Sequence, residues 1–220
     1  MALRNLRIRV RRKRHYLPCL RRVTDKRVTM IDLTRAKVNK RIPKNRFKAE
    51  LLGVDAVTWL YKISPDTADF RHGDEIAEIQ IFAVSFKDGA AGRKDIAAVQ
   101  RDVPYKILFT AHDKWFAVIE GELFESDKRF LDGDALTIER RSAKLTDLYE
   151  DIAAVFIPIA RRTAESIAGT VTRYKALQMI EREIESLQRK VDNEKQTNKR
   201  FEYNEQLKAL REEREGLANG

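Results

Sequence analysis

A run of apolar residues at helical spacing limits most strongly how this chain can fold. Five of these residues follow one another at intervals of three, four, three and four positions: Leu177, Ile180, Ile184, Leu187 and Val191. This spacing puts the side chains on one stripe of a helix and is typical of a coiled-coil seam over about two heptads. The sequence therefore predicts a long helix whose apolar stripe needs a partner.

The regular spacing of the apolar residues ends near Asp192, and this lapse is followed by a second apolar stripe in a different heptad register. The later apolar positions are Tyr203, Leu207, Leu210 and Leu217. A coiled-coil-like helical hairpin with its turn near residues 192–200 explains the lapse better than one continuous rod, because the two short stripes could then pack on each other. A homodimer joined through these C-terminal helices is the alternative.

The polar link between the two stripes is dense in amide and charged side chains. Amides suit the capping of helix ends, which is one interpretation of the link. A tip that binds a protein partner is the other interpretation. Its candidate residues are Glu194, Gln196, Asn198, Phe201 and Asn204.

The middle of the chain carries strand patterns. Residues 57–63 are rich in β-branched and aromatic side chains, and residues 76–86 are apolar on both faces, as in a central strand. Residues 105–110 and 115–119 predict a hairpin across a four-residue turn. Weaker patterns predict strands at 122–124 and 136–139. A short helical turn is predicted at 46–52, and a short helix at 95–102, before Pro104.

From residue 145 the apolar period becomes helical, and Pro158 is expected to end this helix. These patterns together predict an α+β protein, with an antiparallel or mixed sheet, flanking helices and the C-terminal hairpin. The expected organisation is a basic leader over 1–30, an α+β domain over 31–142 and a helical segment over 143–220.

The net charge of +10 is unevenly distributed. Residues 1–28 hold eleven basic residues and one acid, which already accounts for +10, so the remaining 192 residues are neutral. We interpret the leader as a disordered tail or an upstream extension before Met30; a phosphate-binding arm or a transit peptide are the alternatives. Its Cys19 is the one cysteine of the chain and predicts neither a disulfide nor a metal site.

A second basic stretch lies inside the predicted α+β domain. Residues 29–48 carry +6, and residues 49–220 carry −6. Such a stretch can grip a phosphate backbone, or it can form a solvated turn paired with the acidic remainder. The candidate nucleic-acid-binding residues are Arg35, Lys37, Asn39, Lys40, Arg41, Lys44, Arg46 and Lys48. We call residues 35–48 the basic segment.

The sequence carries no recognisable catalytic signature. Glycine-rich phosphate loops and nucleophile elbows are absent, and the three histidines are far apart, so we expect no cofactor and no metal. A metal-dependent nuclease built on Asp74, Glu75 or Glu78 is a minor hypothesis. Lys87 lies nine residues beyond Glu78, about 30 Å along a strand, so the two could not share a metal without a fold-back.

The longest apolar run, residues 152–160, is too short to span a membrane, and no signal-peptide pattern is present. We therefore expect a cytoplasmic protein with no membrane partner.

Several motifs occur in a fixed order along the chain. They are VNKRIPKNRF at 38–47, WLYKISP at 59–65, EIQIF at 78–82, VPYKILF at 103–109 and the link at 194–204. Together they resemble a bacterial family classed as domain of unknown function 4391. The resemblance starts near residue 31 and runs to the C-terminus.

The family is associated with loci that encode a helicase and DNA methyltransferases in restriction-like phage defence. The resemblance therefore implies an accessory, non-catalytic component of a DNA-targeting system that docks on a helicase or methyltransferase partner. It supplies no catalytic residues. Direct binding of DNA or RNA through the basic segment is the alternative function.

Overall fold

The computed structural model describes residues 30–87 and 92–219. The predicted basic leader up to residue 29, together with Cys19, lies outside the described residues. The strands are β1 (Ile31–Asp32), β2 (Lys37–Ile42), β3 (Val54–Ile63), β4 (Ile79–Phe86), β5 (Lys106–Ala111), β6 (Lys114–Ile119), β7 (Glu122–Ser126), β8 (Leu131–Asp132) and β9 (Ala135–Leu136). The helices are α1 (Arg93–Asp102), α2 (Leu145–Phe156), α3 (Ile167–Asn193) and α4 (Thr197–Ala218).

The main sheet has six strands in the order β2-β3-β4-β5-β6-β7. Neighbours are antiparallel except β4 and β5, which are parallel. A parallel pair needs a crossover connection, and α1 supplies it. The predicted α+β class with a mixed sheet is confirmed. β5 and β6 form the predicted hairpin, but its turn has two residues, His112 and Asp113, because Ala111 and Lys114 already pair as the ends of the strands.

Both faces of the main sheet are covered, which explains why β4 is apolar on both sides. On one face, Phe82 and Phe109 pack with Ile96 and Val99 of α1 in the α1-side core. On the other face, α2 and the start of α3 pack against the sheet in the α2-side core. There Phe130 and Phe156 stack with their ring centroids 5.0 Å apart.

A small three-stranded sheet, in the order β1-β9-β8, borders the α2-side core. Ile31 of β1 pairs with Leu136 of β9, and both are buried. The predicted strand at 136–139 is wrong beyond its first residue, because β9 ends at Leu136. Thr137 instead donates its backbone N–H to Phe130 across a local turn.

The predicted helical turn at 46–52 is also wrong. A short 3-10 turn covers Lys44–Arg46, and Phe47 is already extended, with φ −92° and ψ 140°. Phe47 and Leu51 are both buried in the α1-side core. Burial of these two side chains across the sheet outweighs the weak local preference for helix.

The C-terminal helices α3 and α4 lie side by side and antiparallel. Leu187 and Val191 of α3 form one apolar cluster with Leu207 of α4. The break between the helices falls at residues 194–196. The regular coiled-coil packing expected from the heptad spacing stays a prediction. Within the described residues, none of the helices is long and apolar enough to cross a membrane.

Candidate nucleic-acid interface

The basic segment forms one edge of the main sheet. Strand β2 lies at the end of the strand order and pairs with β3. Its register shifts between Lys37 and Lys40, where Asn39 adopts a positive φ of 47°. Asparagine tolerates this left-handed conformation better than most residues. The irregularity and the repeated cations are typical of an edge strand that avoids pairing with other strands.

Lys37 is the member of the basic segment that forms an ion pair within the described residues. Its ammonium lies 3.0 Å from a carboxylate oxygen of Asp134. The hydroxyl of Tyr61 donates to the same oxygen at 2.6 Å. These contacts, with Tyr61 the stronger, lower the pKa of Asp134, and burial with the Asp134 contact raises the pKa of Tyr61 to about 12.

Three other cations of the segment contact backbone carbonyls. Lys44 donates to the carbonyl of Val54 at 2.9 Å. Arg35 and Arg41 make long contacts of 3.5 and 3.4 Å to the carbonyls of Asp66 and Asp55. A carbonyl leaves the positive charge uncompensated, so these contacts orient the side chains without neutralising them.

The side chains of Lys40, Arg46 and Lys48 form no hydrogen bond or ion pair with any described residue, and all three residues are exposed. Because Lys37 alone meets a carboxylate, the positive charge of the segment is directed to solvent. One interpretation of the sequence is that the basic segment pairs with the acidic remainder of the chain. Among the described residues, such an ion pair forms at one of the seven basic side chains.

A cleft of about 450 Å³ opens beside β2, at the C-terminal end of α1. Its floor is apolar and is formed by Ile42, Phe47, Trp59 and Val103. Lys40, Arg41 and Arg46 stand around it. The cleft thus combines an aromatic floor with cationic walls.

Trp59 is held in a fixed orientation in this cleft. Its indole Nε1 donates to the carbonyl of Tyr61 at 2.9 Å, and its ring lies 6.2 Å from that of Phe82. The sheet register places Lys40 directly across from Trp59. A cation and an aromatic ring therefore lie side by side on the same face of the sheet.

One acid lines the cleft. Asp102 is the last residue of α1, and one of its carboxylate oxygens accepts the backbone N–H of Lys48 at 2.6 Å. This contact ties the end of the basic segment to α1. The second carboxylate oxygen accepts no hydrogen bond from the described residues.

The acids of the nuclease hypothesis do not converge. Asp74 accepts the backbone N–H and the hydroxyl of Thr146, both at 2.8 Å, and so caps α2. Glu78 is buried and pairs with Lys62 at 2.9 Å and with the amide of Gln80. Lys87 follows the far end of β4. No three potential metal ligands of the described chain lie close enough together to hold a metal ion.

The predicted partner-binding residues lie at the tip formed by α3 and α4. Glu194 accepts the backbone N–H of Gln196 at 2.9 Å, which is a local capping contact. Asn198, Phe201 and Asn204 follow in the first turns of α4 and are exposed. Phe201 is 66% exposed, which is unusual for so large an apolar side chain.

Trp59 and Asp102 belong to the basic site, although they lie outside the basic segment in sequence. Phe47 is the one aromatic residue within the basic segment, and a single aromatic residue does not indicate a stacking surface. Trp59 is brought to the basic segment by the pairing of β2 with β3. Asp102 is brought there by its hydrogen bond with Lys48, 54 positions away in the sequence. Neither contact has a local sequence signal.

Fold and site define a class: an α+β protein with a mixed six-stranded sheet, a basic edge strand and a long helical C-terminal region. A family model described as Domain of unknown function (DUF4391) matches residues 34–213. The chain belongs to this family, as its motifs predict. No curated protein and no solved structure matches the chain.

Proposed function

We propose that the protein binds nucleic acid through the basic segment, with phosphates at Lys40, Arg46 and Lys48. The observation that supports this most directly is that these three exposed side chains have no partner among the described residues. Unpaired cations on one edge attract a phosphate backbone, and the release of condensed counterions drives the binding.

The rest of the segment suits the same role. Arg35, Arg41 and Lys44 retain their charge because they contact carbonyls. Contacts between such cations and phosphates position a protein on the backbone of a nucleic acid and carry no sequence information. The proposed phosphate contacts therefore depend strongly on salt and do not themselves distinguish one sequence from another.

Salt-dependent binding tests this proposal on the full chain. We expect the triple variant Lys40→Gln, Arg46→Gln, Lys48→Gln to bind labelled DNA more weakly. Its plot of log affinity against log salt concentration should be shallower by roughly 2–3, since each lost phosphate contact removes about 0.9 from the slope.

A matched control removes the same charge from the helices. Arg182, Lys199 and Lys208 are exposed and form no ion pair with described residues, so Arg182→Gln, Lys199→Gln, Lys208→Gln is that control. The leader is present in both variants and contributes equally. Equal salt slopes for the two triple variants would show that the edge does not bind the backbone.

We also propose, from the family resemblance, that the protein is an accessory component that docks on a helicase or methyltransferase of a DNA-targeting system. The exposed Phe201 at the helix tip supports this second function. Phe201→Ser should abolish co-purification with such a partner. Met179→Ser is the control, because Met179 is 69% exposed but lies away from the tip on α3. If Phe201→Ser co-purifies with the partner as well as the wild type does, the helix tip is not the docking site.

A further inference from the structure

We propose that the cleft beside β2 takes one unpaired base of single-stranded DNA against the face of Trp59. This inference rests on the proposed nucleic-acid binding and names the part of the ligand that enters the cleft. A volume of about 450 Å³ lies within the range of small-ligand sites, about 300–1,000 Å³.

The floor of the cleft suits a flat apolar group. Ile42, Phe47, Trp59 and Val103 form it, and each belongs to or packs against the α1-side core. Every base presents a π-face that stacks on an aromatic side chain regardless of sequence. An aliphatic ligand would use the apolar surface but not the ring.

Trp59 is preorganised for such stacking. The hydrogen bond to Tyr61 and the contact with Phe82 fix the indole before any ligand arrives. A side chain that is already immobile loses little conformational entropy on binding. Most of the stacking energy therefore contributes to the affinity for the base, because little of it offsets a loss of side-chain entropy.

The walls of the cleft match the charge of a nucleotide. Lys40 stands across the strand pair from Trp59, and Arg46 lines the same cleft. A base seated on Trp59 would keep its flanking phosphates near these two cations. An acidic peptide would use the cations but would leave the aromatic floor without a planar partner.

Asp102 adds a preference among the bases. A carboxylate at the C-terminus of a helix is disfavoured by the helix dipole, and one oxygen of Asp102 is stabilised there by the backbone N–H of Lys48. Its second oxygen is free of hydrogen bonds from described residues and can accept from an exocyclic amino group. Cytosine carries such a group where thymine carries a carbonyl oxygen.

A base of duplex DNA cannot enter the cleft unless the duplex is distorted, because its bases are paired and stacked within the double helix. The cleft therefore favours single strands over duplex, while the proposed phosphate contacts serve both.

The test uses the fluorescence of Trp59 in the full chain carrying Trp115→Phe. The chain has two tryptophans, and the substitution removes the fluorescence of the other one, Trp115. Trp115 is 5% exposed in the α2-side core, so the variant could misfold. In that case the wild type is used, and the fluorescence of the buried Trp115 is a constant background. Three probes of about eight units are compared: oligo-dC, oligo-dT and an abasic chain of the same charge. Equal charge makes the contribution of the leader the same for all three.

Both oligonucleotides should quench Trp59, and the abasic chain should not quench it and should bind at least about fivefold more weakly. Oligo-dC should bind more tightly than oligo-dT, and Asp102→Asn should remove this difference between the two oligonucleotides. Equal, salt-sensitive binding of all three probes without quenching overturns the base site and leaves the proposed phosphate binding intact. No binding of any probe overturns both.

Discussion

The guanidinium of Arg173 and the carboxylate of Glu165 form a two-pronged ion pair, with both N···O distances at 2.9 Å. The two side chains are 6% and 14% exposed, which makes this the most enclosed ion pair of the described residues. Arg173 also donates to the carbonyls of Leu217 near the end of α4 and of Ala160 before α3. One residue of α3 thus links three segments of the C-terminal region.

Replacement of Arg173 by alanine should destabilise the protein markedly. The change leaves the carboxylate of Glu165 and the carbonyls of Leu217 and Ala160 without their donor in an enclosed place. We expect the melting temperature, followed by circular dichroism, to fall by roughly 5–10 °C.

The control for Arg173→Ala is Arg189→Ala in an exposed pair of the same helix. Arg189 and Glu185 are 78% and 70% exposed and 3.8 Å apart, so their loss should change the melting temperature by about 1 °C or less. Similar melting temperatures for the two variants would contradict a structural role for Arg173.

The same ion pair predicts a dependence of stability on acid. Hydrogen bonds from Arg173, and then from the backbone N–H of Arg162, lower the pKa of Glu165 from 4.5 to about 2. The unfolded chain therefore takes up the proton first. The stabilisation is complete above about pH 4.5 and is lost as the pH falls towards 2.

This pH dependence is measured as the difference in melting temperature between the wild type and Glu165→Gln. The subtraction removes the contribution of other acids. The difference should be largest near neutral pH and should shrink below about pH 4.5. A difference that stays constant down to about pH 2.5 would show that Glu165 is not the titrating group.

The interior strands of the sheet could be predicted from sequence because burial leaves a local pattern. β4 is apolar on both faces, and β5 and β6 flank a short turn, so their residues alone indicate them. β2 is not predictable in this way, because an edge strand made mainly of lysines and arginines lacks such an apolar pattern. The pairing of β1 with β9 joins residues more than 100 positions apart, beyond any local pattern.

The candidate site was predictable in charge but not in shape. The count of cations already identified the basic segment. Whether those cations meet acids depends on distant residues, such as Asp134 beside Lys37. The aromatic floor depends on the register that places Trp59 opposite Lys40, and a shift of one residue would have turned Trp59 to the other face.

Removal of the long-range cap on α2 should have a moderate cost. Asp74→Ala deletes both hydrogen bonds to Thr146, and we expect a loss of about 1 kcal/mol in the free energy of unfolding by denaturant titration. Glu75→Ala is the control, since Glu75 is exposed and its side chain makes no described contact. A loss no greater than that of the control would mean that Asp74 does not cap the helix.

The half-buried pair of Glu78 and Lys62 predicts energetic coupling in a double-mutant cycle. The hydrogen bond and charge of Glu78 raise the pKa of Lys62, and Glu78 is 9% exposed against 38% for Lys62. Because Lys62 is partly solvated, Glu78→Gln and Lys62→Met should couple by about 1 kcal/mol. The pair of Lys175 and Glu122, 46% and 50% exposed, should couple less. Equal coupling in the two cycles would contradict this ranking.

The contact between α3 and α4 should depend on Leu207 and not on Phe201. Leu207 is 2% exposed between Leu187 and Val191, so Leu207→Ala opens a cavity and should cost about 2–4 kcal/mol in the unfolding of α4. Phe201→Ala on the same helix removes a larger but exposed side chain and should cost less than about 0.5 kcal/mol. Hydrogen exchange of the α4 amides measures both. Faster exchange in Phe201→Ala than in Leu207→Ala would mean that the tip, and not the buried cluster, holds α4 to α3.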